Sequence, residues 1–107
     1  MATAIVYSPE AVDHLAVLSR VDQVRVLDQV DRLLADRPTL PSRKRKYLRP
    51  NSIAQWELRL GDLRVFYDVT TESDADSGVA QATMVSIKAI GKKVHNELWV
   101  GGQRITL

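Results

Sequence analysis

Three charged side chains around one tight turn have the clearest capacity for chemistry. In Trp56-Glu57-Leu58-Arg59-Leu60-Gly61-Asp62-Leu63-Arg64-Val65-Phe66-Tyr67-Asp68-Val69, two alternating runs flank Gly61-Asp62, a pair suited to a hairpin turn with glycine at its first central position. Strand side chains alternate faces, so a two-residue loop sets Arg59 against Arg64 and Glu57 against Phe66. Trp56, Leu58, Leu60, Leu63, Val65, Tyr67 and Val69 then form a core face, and Glu57, Arg59, Arg64, Phe66 and Asp68 the opposite one. Two guanidinium groups directly across a sheet repel and need an anion between them. Either Glu57 or Asp68 neutralises them on a solvated face, or a partner's phosphate does so, because arginine offers a planar fork matched to phosphate oxygens.

Other basic residues cluster. Arg37, Arg43, Lys44, Arg45, Lys46 and Arg49 occur with no acid among them, and Lys88, Lys92, Lys93 and Arg104 follow near the end against Glu97 alone. The net charge is only +2, because the acids gather in the first third and at Glu72, Asp74 and Asp76. Such segregation fits a basic surface for nucleic acid, and equally a solvated basic loop. With no cysteine and two distant histidines, the sequence offers neither a disulfide framework nor metal-ligand spacing; no metal and no cofactor are expected. His14 is given no catalytic role.

The elements that must position these residues follow from periodicity. Residues 3–7 read as a strand. Ser8-Pro9-Glu10 opens a short helix ending near Leu18, with Val12, Leu15, Ala16 and Ser19 on one face. Ser19-Arg20-Val21-Asp22 caps a second helix, with Val24, Leu27, Val30, Leu33 and Leu34 at helical spacing, stopped by Pro38 and Pro41. Residues 8–36 are thus expected to form an antiparallel helix hairpin. A basic connector follows, in which residues 46–49 make a short strand and Pro50-Asn51 a turn. After the central hairpin, residues 71–78 read as a loop and 81–90 as a strand that buries Val85, Ile87 and Ala89 and turns Lys88 toward the arginines. Gly91 is expected to break it, residues 92–98 to form a turn or short helix, and residues 99–105 a tail with a Gly-Gly turn. The expected fold is a single α+β domain over 1–107, its helix hairpin packed on one face of a small, mainly antiparallel sheet, the other face open and basic.

The chain has 107 residues, 45% hydrophobic and 26% charged, as ordinary globular domains do. No apolar run approaches the roughly 20 residues of a membrane span, and no secretory signal is visible, so a cytoplasmic protein without a membrane partner is expected.

The helix hairpin, Lys46-Tyr47-Leu48-Arg49-Pro50, the central hairpin and the closing Ile87-Lys88-Ala89-Ile90-Gly91-Lys92-Lys93 together resemble the RelE/ParE superfamily of bacterial toxin–antitoxin toxins over essentially the whole chain. The most specific part is Gly61-Asp62-Leu63-Arg64-Val65-Phe66-Tyr67, similar to the family's glycine, arginine, apolar, tyrosine pattern. The resemblance implies a RelE-like fold and a cytoplasmic toxin silenced by a cognate antitoxin protein, through which it meets operator DNA. RelE-like members are mRNA interferases that cut mRNA on the ribosome without a metal, the RNA's own 2′-hydroxyl attacking the adjacent phosphate. ParE-like members poison DNA gyrase without being enzymes. Arg64 matches the family's arginine after the turn, Arg59 a basic position before it, and Lys93 lies near the basic position after the last strand.

The chain also departs from the family. RNA-cleaving members commonly carry a tyrosine or histidine as acid or base in the C-terminal segment, where Trp99 appears here with only an N–H donor. His95 is a substitute, since imidazole titrates near neutrality. Glu57 stands where some members have lysine, as a general base or as a partner for Arg59. The expectation is a growth-arresting, ribosome-dependent endoribonuclease. Its catalytic group is Arg59, Arg64, Lys93, His95 and Glu57. RNA is gripped by Arg43, Lys44, Arg45, Lys46, Arg49, Lys88, Lys92 and Trp99. The alternatives are a gyrase inhibitor and a non-catalytic domain that binds only its antitoxin and operator DNA.

Overall fold

In a computed structural model, which describes residues 2–73 and 80–106, the chain is an α+β protein. Its order is β1 (Ala2–Tyr7), α1 (Pro9–Ala16), α2 (Arg20–Leu34), β2 (Arg45–Tyr47), β3 (Trp56–Leu60), β4 (Leu63–Ser73), β5 (Ala80–Val94), β6 (Glu97–Val100) and β7 (Gln103–Ile105). All seven strands among the described residues join one sheet, ordered β2-β3-β4-β5-β6-β7, and β1 adds to β5 in parallel. None of the described helices is long and apolar enough to cross a membrane.

Both helices begin as their caps dictate. The Ser8 hydroxyl accepts from the Ala11 amide at 3.1 Å and the Ser19 hydroxyl from the Asp22 amide at 3.2 Å, satisfying donors that have no partner within the helix. Their buried faces match expectation in part: Leu15 packs inward on α1, and Val30, Leu33 and Leu34 on α2, as expected, but the rest of each face differs. α1 turns inward Ala11 and Leu15 rather than Val12 and Ala16. α2 buries Val26, Val30 and Leu34, while Val24 and Leu27 stay exposed. Both sets have helical spacing, and only contact with the sheet chooses between them. These residues share one core with Trp56, Leu58, Leu60, Leu63, Val65, Tyr67, Val85, Ile87 and Ile90.

The central hairpin has the expected register, including Arg59 opposite Arg64 and Glu57 opposite Phe66. Gly61 takes φ +64°, the left-handed conformation that glycine adopts without a Cβ clash. Beyond it the strands depart from expectation. β4 extends to Ser73, so residues 71–73 of the expected loop are strand, and the rest of that expectation, residues 74–78, lies outside the described residues. A register shift against Phe66 and Tyr67 inserts Lys88 as a bulge, since Phe66 pairs Ala89 but Tyr67 pairs Ile87. Ala89 therefore leaves the face of Val85 and Ile87, and Ile90 takes the core place instead.

Nor does Gly91 end β5, which runs on to Val94. A Cβ at Gly91 would lie 2.7 Å from both the Trp99 carbonyl oxygen and Val100 Cγ2, so glycine is what lets β6 cross this closely. Gly91→Ala is expected to cost about 1–3 kcal/mol through overpacking, measured by urea denaturation; unchanged stability would show that β6 yields freely. The stretch expected as a turn or short helix at 92–98 is a β-hairpin. His95 and Asn96 sit at its tip with φ +52° and +65°, the two positive values that a type I′ turn needs. The Gly-Gly turn falls as expected, at Gly101 and Gly102 between β6 and β7.

The face away from the helices is not open. Phe66 is fully buried there with Ala54, Ala89, Leu98 and Val100, flanked by Leu48, Ile53 and Ile105. Two flaps cover it. The connector is one, held by Asn51, whose amide nitrogen donates to the Arg49 and Ala54 carbonyls and whose Oδ1 accepts from the Ile53 and Ala54 amides, all at 2.8–3.0 Å. The β6–β7 hairpin is the other. This second small core holds the candidate site in shape.

Candidate active site

Beside the Phe66 core is a cavity of about 330 Å³ lined by Glu57, Lys93, Asn96, Glu97, Leu98, Arg104, Ile105 and Thr106. Glu57 is a buried charged residue at 6% exposure. β3 carries it outward between Leu58 and Trp56, which face the helices, and Phe66 lies opposite it. Its Oε1 accepts from Arg59 Nε at 2.7 Å, a charge-assisted bond between alternate residues of one strand. By register Lys46 lies directly across from Glu57 on β2. Arg59 receives a similar neighbour, because its amide donates to the Lys44 carbonyl at 2.7 Å. Lys44 and Lys46 are exposed and make no ion pair with any described residue, nor does Lys93. Arg104 donates to Glu97 at 3.2 Å on the rim. One buried carboxylate thus sits among cations, in a recess open to solvent on one side.

The expected site residues divide. Glu57, Arg59 and Lys93 come together, with Lys44 and Lys46 along the edge. Arg64, placed opposite Arg59, curls back instead. Its Nη1 donates to the Gly61 carbonyl at 2.6 Å and the Leu63 carbonyl at 2.9 Å, and its Nε is enclosed without a partner. It therefore holds the turn, and of the two arginines only Arg59 is neutralised by Glu57. His95 stands exposed at the hairpin tip and does not line the cavity. Lys92 and Trp99 pair with each other, and Lys92 also pairs with Leu63, a residue of the helix-side core. Both therefore lie on the face opposite Glu57, where Trp99 is 39% exposed. Arg45 is not a free cation either, because it donates to the Leu33 and Leu40 carbonyls, each at 3.0 Å. Arg43 and Arg49 are exposed on the connector. Lys88, in the bulge, borders a separate recess with Ser8, Glu10, His14 and Asp68.

Neither core tyrosine can serve as an acid or base in this cavity. The Tyr67 hydroxyl donates to the Pro38 carbonyl at 2.7 Å, and burial raises its pKa. Tyr7 is pushed up to about 12 by burial and then by the Asp31 charge. Asn96, Glu97 and Arg104 are wall residues the sequence reading missed. Their signal was the Asn96 and Gly101-Gly102 turn chemistry, which marks two successive hairpins.

Lys92 is committed elsewhere. Its Nζ donates to Asp22 at 2.9 Å, tying the β5–β6 hairpin to the start of α2. That hydrogen bond holds the Asp22 carboxyl below its ordinary 3.8 and the Lys92 ammonium above its ordinary 10.5. The Asp22 share of the stability is fully present above 3.8 and lost as pH falls through the lowered value; the Lys92 share is fully present below 10.5 and lost as pH rises through the raised one. The stability difference between the wild type and Asp22→Asn is therefore expected to stay flat through neutrality and to shrink only toward either extreme. Urea melts across pH check this, and a slope near neutrality would assign the difference to another group.

No protein-family model matches the chain, and a search of curated proteins finds no relative. The resemblance to RelE/ParE toxins therefore rests on the residues quoted above.

Proposed function

We propose that the chain is the toxin of a type II toxin–antitoxin pair, with a RelE-like fold in which the helix hairpin packs on the sheet, and that it cleaves mRNA at the ribosome in the Glu57 cavity. The observation that carries this reading is a buried carboxylate hydrogen-bonded by Arg59 in a recess bordered by Lys93 and Arg104. Glu57 takes the proton of the RNA 2′-hydroxyl. The freed oxygen attacks the adjacent phosphorus, the bond to the 5′-oxygen breaks, and a 2′,3′-cyclic phosphate forms. Lys93 supplies the proton to the leaving oxygen. Arg59 and Arg104 stabilise the charge that builds on the phosphate oxygens. Lys44, Lys46, Arg43 and Arg49 hold the flanking RNA backbone, so binding weakens steeply with salt. The cognate antitoxin keeps the protein silent in the cytoplasm.

The test is induction of the chain alone in a bacterium, with RNA ends sequenced and their chemistry determined. Growth arrest with new 2′,3′-cyclic phosphate ends in translated mRNA is the expected result. Arrest with intact mRNA and gyrase-linked DNA breaks would replace this reading by gyrase poisoning, and unimpeded growth would remove the toxin reading.

A further inference from the structure

The outer side of α2 carries a second pattern that the fold leaves unused. Arg20, Val24, Leu27 and Asp31 follow at intervals of four, three and four residues, the spacing of a coiled-coil seam, and all four are exposed, Val24 at 59% and Leu27 at 42%. The inward positions are taken by Val26, Val30 and Leu34, so this seam is a separate face. Its ends are charged with the wrong sign for their own helix. A cation in the first turn and an anion in the last oppose the helix dipole, and those are the places of Arg20 and Asp31 in α2. Neither makes an ion pair with any described residue.

We propose that α2 pairs antiparallel with α2 of a second copy of this chain. Reversing the seam about its own midpoint, between Arg25 and Val26, exchanges Arg20 with Asp31 and Val24 with Leu27. Each Arg20 then meets Asp31 of the other copy, and each Val24 meets Leu27, so the seam is complementary to itself, as a two-fold interface must be. The seam spans roughly 16 Å at 1.5 Å per residue. A parallel pairing would set Arg20 on Arg20 and Asp31 on Asp31, which like-charge repulsion disfavours. The committed occupant is therefore a second copy in the reversed direction. The inference is independent of the chemistry assigned to the Glu57 cavity.

Sedimentation of the full chain over a concentration series at low salt tests it. The expected result is a monomer–dimer equilibrium that Val24→Asp abolishes. Arg20→Asp and Asp31→Arg alone should each raise the dissociation constant about tenfold or more, because each places like charges across the interface. Together they restore the opposite pairing, so the double variant should return to within about threefold of wild type. Circular dichroism confirms that each exposed substitution leaves the helix folded. A wild-type chain monomeric at every concentration overturns the proposal, as does single-variant dimerisation equal to wild type or a double variant that fails to recover. A monomeric chain whose α2 binds a helix of another protein is likewise a contrary outcome.

Discussion

Glu57→Gln is expected to abolish RNA cleavage while leaving the protein folded. Glutamine keeps the shape and an oxygen for the Arg59 Nε bond, now 2.7 Å long, but it cannot accept the 2′-hydroxyl proton. Loss of a general base costs on the order of 10²- to 10⁴-fold in rate, enough to end growth arrest. Arg59→Ala behaves differently, because it strands a carboxylate that is nearly enclosed. Leaving such an acceptor without its donor costs about 1–3 kcal/mol, softened here because the Arg59 side chain is 45% exposed. Stability and activity should then fall together, and adding Glu57→Gln should recover part of the stability but none of the activity. Melting temperature and cleavage rate for the three variants separate the roles. A Glu57→Gln protein that cuts RNA at the wild-type rate would sink the assignment of Glu57 as base.

Phe66→Ala should have the largest effect on the fold. The ring is fully buried on the sheet face away from the helices and seats Leu98, Val100 and Ile105 from one flap and Leu48, Ile53 and Ala54 from the other. Truncating a buried phenylalanine costs about 3–5 kcal/mol, a large part of the roughly 5–15 kcal/mol that holds a domain together. Leu98 and Ile105 also line the Glu57 cavity, so the variant should lose the cavity wall along with stability. Phe66→Leu, which refills most of the volume, should keep both in large measure. Chemical denaturation decides it: a Phe66→Ala protein as stable as wild type would mean that the second core contributes little.

Much of this protein is determined locally. The hairpin register follows from a two-residue turn and strict alternation, so Arg59 opposite Arg64 and Glu57 opposite Phe66 could be read directly. The helix starts at Ser8 and Ser19 are equally local, since a hydroxyl three residues before an unpaired amide suffices. What the tertiary structure alone decided concerns choices between patterns of equal local merit. Val24 and Leu27 fit a helical face with Val30 as well as Val26 does, and the sheet accepted Val26 with Val30 and Leu34. The Lys88 bulge reversed the faces of Ala89 and Ile90, because one inserted residue flips a two-residue period and leaves no trace in the alternation itself. Arg64 stood opposite Arg59 as expected, yet its long side chain found the turn carbonyls within reach. A flexible cation takes the nearest acceptors, and those are set by backbone geometry. On the sheet face of Glu57 the hairpin alone supplies one apolar residue, Phe66, among Glu57, Arg59, Arg64 and Asp68, and so an open face is expected. That face is covered by Leu48 and Ile53 of the preceding connector and by Leu98, Val100 and Ile105 of the distant β6–β7 hairpin, and closure by a segment so far away in sequence has no local signature.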